Sequence, residues 1–216
     1  MKPKGIVLLV LSLLVMFCTV YYGAAYYDKY LASKMAGELL DTIKEEARES
    51  YPDELEMAAM KKVAISRSED DLNNQKTFED KRKKAADIFF GFYLINVKSR
   101  VEYCLDLGVN IAPFSSLFKK SNWNEYLIAK EARAYNSSDI EELYQLLEPQ
   151  MMEVVGVDMK GIASENGLSV TESCQLFVDY APRVVSQMHI SAMNPAVYKA
   201  LTYNVKNDLE ILKETK

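Results

Sequence analysis

A run without charged side chains extends from Gly5 to Tyr27, and its centre, from Ile6 to Val20, is strongly apolar. A helix rises about 1.5 Å per residue, so roughly 20 apolar residues cross the ~30 Å hydrocarbon core of a bilayer. The run is therefore long enough to span a membrane. We predict that residues 1–27 are a signal-anchor or a signal peptide.

Two interpretations of this segment stay open. Gly23-Ala24-Ala25 offers a small-residue cleavage site, and cutting near Ala25 would give a secreted chain. The tyrosines around that site favour an uncleaved anchor, because their rings are apolar while their hydroxyls prefer water, as at a membrane interface. Lys2 and Lys4 favour the cytoplasmic side. Both interpretations therefore place the rest of the chain outside the cytoplasm, in the periplasm if the source is bacterial.

The remaining sequence is typical of a folded helical chain. It is 49% hydrophobic and 26% charged overall, which is the balance of a globular protein, and its 8 Gly and 6 Pro are few for the many turns of a β-protein. Apolar residues recur mainly at helical spacing. We predict an all-α fold with an N-terminal membrane helix followed by an irregular multi-helix bundle. Membrane-proximal helices and a linker would cover residues 28–75, and a helical core domain would cover residues 76–216.

The strongest core pattern lies in the middle of the chain. Apolar residues three or four apart predict one buried helix that ends near Gly108, a glycine suited to a left-handed C-terminal cap. The stretch 88–95 would also suit a buried strand, but the helical spacing continues beyond it. The predicted buried face consists of Ala86, Phe90, Tyr93, Val97, Val101 and Cys104.

Local signals predict where other helices begin and end. Residues 66–74 are expected to form a turn or loop. Capping boxes are predicted at Ser138–Glu141 and Ser169–Glu172, where a serine and a glutamate satisfy each other's free amides. Pro149 is expected to end or kink a helix, and Gly156 to stop one.

Cys104 and Cys174 are the cysteines of the part expected outside the cytoplasm. A pair in that environment most often forms a disulfide. Two buried thiols are the alternative. A reactive thiol is disfavoured, because neither cysteine belongs to a Cys-x-x-Cys motif or has a cluster of basic residues beside it. We predict a disulfide between them.

The composition argues against several chemistries. One histidine and three cysteines leave neither a multi-histidine nor a four-cysteine metal site, and we expect no metal and no cofactor. A net charge of -5 argues against nucleic-acid binding. His189 lies in no nucleophile motif, so we interpret it as a packing residue. The sequence therefore favours a protein without enzymatic activity over an enzyme.

Two sets of residues are candidate binding sites. Asp87 and Asn96 lie in the most apolar stretch, where an unpaired polar group would cost a few kcal/mol, so they could line a pocket. That candidate pocket consists of Asp87, Phe90, Tyr93 and Asn96. A helical stripe near the membrane is a candidate interaction face, made of Leu31, Met35, Leu39 and Ile43.

Two charged stretches have a simpler interpretation. Residues 38–56 are rich in acids and residues 76–84 in bases, and both are expected to be solvated helix faces. The alternative is that they pair with each other or with a partner.

These patterns favour a membrane-anchored extracytoplasmic helical domain that acts as a binding, adaptor or structural protein of the cell envelope. Its expected partners are the membrane and an envelope protein. One alternative is a small-molecule or lipid-binding domain, which a cavity of several hundred cubic ångströms between helices would favour. A less favoured alternative is an exported hydrolase, which would need two carboxyls about 5 to 10 Å apart in a cleft.

Overall fold

The computed structural model describes residue 38 and residues 41–203, and all regular secondary structure in them is helical. The predicted all-α fold is therefore confirmed. The apolar run of residues 1–27 lies outside the described residues, as do Leu31, Met35 and Leu39 of the candidate interaction face. Among the helices that are described, none combines the length and the apolar character needed to cross a membrane.

The described helices follow one another with short connections, and a π-helical turn joins two of them in the middle of the chain. In chain order they are α1 (41–50), α2 (Glu56–Asn73), α3 (Phe78–Leu94), the π turn (Ile95–Ser99), α4 (Arg100–Asp106), α5 (Ala112–Ser121), α6 (Trp123–Arg133), α7 (Ser137–Asn166), α8 (Val170–Asp179), α9 (Ala181–Gln187), α10 (Ile190–Met193) and α11 (195–203).

The predicted central helix is present as α3, the π turn and α4 in sequence, and the strand alternative for residues 88–95 is wrong. Phe90 and Cys104 are fully buried. The path ends as predicted at Gly108, whose φ is 80°. There the backbone N–H of Val109 bonds to the carbonyl of Cys104 at 2.8 Å, which closes a Schellman motif.

Two apolar clusters hold the helices together. The larger one surrounds α3 and α4 and includes the rings of Phe114 and Phe177, whose centroids are 4.9 Å apart. The smaller one lies between α1 and α2 and contacts Val157 of α7. Ile43 packs on this smaller cluster, so this member of the candidate interaction face already has a partner within the chain.

The end of α2 corrects one boundary. The loop predicted at residues 66–74 is wrong, because α2 continues to Asn73. Tertiary contacts explain the difference: Leu72 is buried in the larger cluster, and Arg67 bonds to Glu46 of α1 at 2.9 Å. Burial and cross-helix pairing outweigh the weak helix propensity of a serine- and aspartate-rich stretch.

The long helix α7 corrects two more expectations and excludes one of the two alternatives for Pro149. Its capping box uses Asn136 and Asp139 instead of Ser138–Glu141. Pro149 does not end the helix, and Gly156 does not stop it. Both residues are carried within the helix because its buried face, which includes Val155, packs in the larger cluster. The capping box at Ser169–Glu172 is confirmed at the start of α8.

Cys104 and Cys174 lie at disulfide distance, which confirms the predicted proximity. Their α-carbons are 5.6 Å apart and both side chains are fully buried. The pair joins α4 to α8 across 70 residues of sequence.

We expect Cys104→Ala and Cys174→Ala each to lower the free energy of unfolding by about 2 to 4 kcal/mol, because losing a long cross-link frees the unfolded chain. The double variant should be no less stable than either single variant, since one bond is lost in all three. Urea denaturation of the oxidised proteins measures these free energies of unfolding, and non-reducing peptide mapping detects the bond. Free thiols at both positions after oxidising purification would contradict the disulfide.

Candidate functional site

The four residues of the predicted pocket lie along the central helix, but none of the cavities described below is lined by them. Phe90 packs its ring against the rings of Tyr126 and Tyr135. Tyr93 lies in the same packing, and burial raises the pKa of its hydroxyl to about 12. Both rings belong to the larger apolar cluster.

Asp87 lies at the surface end of this set. Its carboxylate pairs with Arg133 of α6 at 2.9 Å. Partial burial raises the pKa of Asp87, although the charges of Arg133 and Lys84 act to lower it. The ion pair therefore ties α3 to α6 at the edge of the core.

A buried polar network occupies the π turn, and Arg100 is its centre. The Arg100 side chain is only 5% exposed and pairs with Asp158 of α7 at 2.6 Å. Its Nε donates to Asn96 Oδ1 at 3.1 Å, and its guanidinium carbon lies 4.8 Å from the centroid of the Phe177 ring. The Asn96 amide donates in turn to the carbonyl of Phe92 at 2.8 Å. Asn96 is therefore buried as a fully engaged polar group.

The π turn explains why the sequence spacing missed Arg100. The backbone N–H of Arg100 bonds to the carbonyl of Ile95, five residues back. Each such turn adds a residue, which rotates the following helix by roughly 100° relative to an uninterrupted α-helix. Arg100 consequently enters the interior, while Val101, which was predicted on the buried face, is only half-buried.

The three nitrogens of the Arg100 guanidinium each have a partner within the chain, namely Asn96, Asp158 and the sulfur of Met159, so the network supports the fold. Its disruption is testable. We expect Asp158→Asn to lower the free energy of unfolding by about 2 to 4 kcal/mol, somewhat less than for a fully buried pair, because water reaches part of Asp158. Chemical denaturation measures the change.

Two further variants distinguish the effect of an unpaired buried charge from the general effect of removing a carboxylate. Glu141→Gln removes the exposed pair with Lys98 and should cost less than about 1 kcal/mol. Adding Arg100→Met to Asp158→Asn should recover part of the loss, because the unpaired buried cation is then gone. Equal effects of Asp158→Asn and Glu141→Gln would show that the network carries no special energy.

His189 stands in a polar cluster that has a structural explanation. Its Nδ1 accepts the backbone N–H of Ser191 at 3.2 Å and lies 2.8 Å from the Ser191 hydroxyl, which makes it the N-cap of α10. Its Nε2 lies 3.6 Å from Oε2 of the buried Glu125. In the structure His189 therefore serves as a helix cap beside a buried carboxylate.

The most ligand-like opening is a groove between α2, α3 and α11, with a volume of about 410 Å³. Two half-exposed rings flank it: Phe78 is 40% and Tyr203 is 47% exposed, and their centroids are 5.5 Å apart. Its lining residues are Glu69, Leu72, Asn73, Phe78, Lys81, Ala196, Lys199, Ala200 and Tyr203. We call this opening the α2–α3–α11 groove.

The charges of the groove stand at its edge. Lys81 donates to the amide oxygen of Asn73 at 3.1 Å and forms no ion pair with the residues that the structure describes. Lys199 and Glu69 are exposed and have no ion-pair partner among the residues that the structure describes. The groove therefore combines an apolar floor with two cations and one anion.

A second opening lies on the other side of Phe78, with a volume of about 610 Å³. Its charged side chains already pair with one another: Arg82 with Glu131 at 3.4 Å, and Lys83 with Glu79 at 2.6 Å. A third opening of about 220 Å³ lies between α1 and α2. The paired charges make the second opening a weaker ligand site than the α2–α3–α11 groove.

The two charged stretches pair with near neighbours. Glu56 of the acidic stretch bonds to Lys44 at 2.6 Å, and this hydrogen bond and charge lower the pKa of Glu56. Lys84 of the basic stretch pairs with Asp71 of α2 at 2.9 Å. The ion pairs that these two stretches form among the described residues thus link α1 to α2, α2 to α3 and α3 to α6, and none of them joins the two stretches to each other.

The residues of the described part offer little for metal or carboxylate-pair chemistry. They hold no group of three or more metal-ligating side chains. The α2–α3–α11 groove is lined by one carboxylate, that of Glu69, where a glycosidase-like site needs two. No family model matches the sequence, and comparisons with curated proteins and with solved structures find no significantly similar chain.

Proposed function

We propose that this chain is a membrane-tethered extracytoplasmic binding protein, and that its α2–α3–α11 groove takes an amphiphile with an apolar body and an anionic group, such as a fatty acid. One observation carries this proposal: an open groove of about 410 Å³ has an apolar floor and two lysines at its edge. Small-molecule sites have volumes of about 300 to 1,000 Å³ and combine apolar walls with a few polar groups.

The distribution of charge supports an anionic ligand. Lys199 is an exposed cation without a partner among the described residues, and Lys81 bonds only to a neutral amide. A carboxylate or phosphate in the groove would give both lysines a counter-charge. Glu69 would repel such a group, so we expect the anionic end to lie toward Lys199 and away from Glu69.

The location rests on two features of the chain. The uncharged run from Gly5 to Tyr27 has the length of a membrane span. Cys104 and Cys174, at disulfide distance in the core, fit an oxidising compartment outside the cytoplasm. Together they favour a tethered domain over a cytoplasmic one.

An envelope protein is the second candidate occupant of the same groove. Phe78 and Tyr203 expose 40% and 47% of their surface, and exposed apolar surface of this kind often marks a protein contact. A partner that inserts an apolar side chain between these rings would make the chain an adaptor.

A photoreactive fatty acid with a diazirine in its chain tests the ligand. With the full-length protein in membrane vesicles, we expect crosslinks on peptides of α2, α3 and α11, and competition by unlabelled fatty acid. Ala196→Phe fills the groove and should reduce this labelling about tenfold, which corresponds to about 1.4 kcal/mol of binding. Ala58→Phe, on the exposed side of α2, is the matched control and should label normally.

Equal labelling of Ala196→Phe and Ala58→Phe would contradict the proposed ligand. Crosslinks from a photoreactive amino acid at Tyr203 to one envelope protein, without fatty-acid labelling, would favour the adaptor.

An alkaline phosphatase fusion after Lys216 tests the location, because this enzyme is active only outside the cytoplasm. We expect an active fusion and a chain that resists carbonate extraction, as the positive charges before the apolar run indicate. Release of a chain that begins near Tyr26 would support cleavage. An inactive phosphatase with an active cytoplasmic reporter would overturn the location.

A further inference from the structure

We infer that the corner between α5 and α6 is a membrane-contact surface that binds anionic lipid headgroups. This surface consists of Lys119, Lys120, Trp123, Leu127 and Lys130, and we call it the α5–α6 corner. Trp123 and Leu127 would enter the interfacial layer of the bilayer while the lysines contact lipid phosphates. The inference goes beyond the proposed ligand groove, which is lined by other residues.

The apolar part of the corner is exposed on one side of α6. Trp123 is 49% exposed and Leu127 is 46% exposed. They are four residues apart in one helix, so their side chains lie on the same face. The Trp123 ring stacks on the ring of Tyr126 with centroids 5.2 Å apart, which supports the indole from beneath and leaves its outer side open. Tryptophan favours the membrane interface because it joins a large apolar ring to a polar N–H.

The charged part of the corner is a set of cations without counter-charges. Lys119, Lys120 and Lys130 form no ion pair or hydrogen bond through their side chains among the described residues. Lys83 and Lys84 of α3 differ, because both pair with carboxylates.

The carboxylates of α6 do not neutralise these lysines. Glu125 is buried and faces His189, while Glu131 pairs with Arg82 of α3. The corner is therefore locally positive on a chain whose net charge is -5.

Charge complementarity favours a lipid surface as the occupant. Apolar side chains surrounded by lysines are the pattern of interfacial membrane binding, in which the rings enter the headgroup layer and the cations meet anionic lipids. A protein partner with an acidic, apolar patch is the other outcome that the test distinguishes.

Trp123 is the one tryptophan in the chain, so its emission reports on the corner directly. The full-length protein is added to vesicles of phosphatidylcholine with phosphatidylglycerol, prepared with or without bromine on the acyl chains. We expect a blue shift and quenching of Trp123 by brominated lipid in the anionic vesicles, and weaker quenching when phosphatidylglycerol is omitted. Lys119→Glu/Lys120→Glu should remove most of the quenching.

The matched control is Lys76→Glu/Lys160→Glu, which makes the same charge change at two other exposed lysines and should quench like the unaltered protein. Flotation of the vesicles reports separately on membrane attachment. If the protein floats with the vesicles but its Trp123 emission is not quenched, the lipid contact of the α5–α6 corner is contradicted and the membrane tether is not. If the protein does not float with the vesicles, the lipid contact of the α5–α6 corner and the membrane tether are both contradicted. Shielding of Trp123 in native membranes but not in lipid vesicles would assign the corner to a protein partner and overturn the lipid assignment.

Discussion

The Arg100–Asp158 pair is the interaction on which the arrangement of the C-terminal helices depends. A buried guanidinium is stable only with a counter-charge and further polar contacts, because removing a charge from water costs several kcal/mol. Asp158 of α7 supplies the charge at 2.6 Å, and Phe177 of α8 supplies an aromatic face at 4.8 Å. Cys174, three residues before Phe177 on the same helix, meets Cys104 of α4. Arg100 and the cysteine pair therefore hold α7 and α8 against one stretch of the central helix.

The sequence was sufficient to predict that central helix and insufficient to predict its register. A three-four spacing identifies a buried face only while the helix keeps 3.6 residues per turn. The π turn at Ile95–Ser99 breaks this condition, and it carries no signature as clear as a proline or glycine. Phe90, before the turn, and Cys104, after it, are buried as predicted, whereas Arg100 takes the interior position expected for Val101.

Local signals were accurate where nothing opposed them. Gly108 caps the end of α4, and Ser169 and Glu172 form the capping box at the start of α8. Both signals lie at helix ends, where no buried helical face competes with them. Gly156 was misread as a helix stop, and Pro149 did not end α7, because burial of the α7 face outweighs the backbone hydrogen bond that proline removes and the conformational entropy that glycine loses. The candidate site was harder to predict than the helix ends. Aromatic density at Phe90 and Tyr93 indicates packing, while the groove depends on residues brought together only by the fold.

The two proposed contact surfaces differ in how the chain supports them. The α5–α6 corner is one connected segment, and α5 and α6 each pack on the central core through buried rings or side chains such as Phe118 and Ala129. The α2–α3–α11 groove instead joins the consecutive helices α2 and α3 to the distant α11, and none of the three carries a member of the cysteine pair. A ligand there would add contacts between elements that the covalent cross-link does not restrain. Because such a ligand binds the folded chain and not the unfolded one, occupancy would stabilise the domain by an amount that rises with the logarithm of the ratio of ligand concentration to dissociation constant. Binding at the groove would therefore add contacts between α11 and the pair α2 and α3, whereas binding at the corner would orient the domain through a segment that packs on the central core.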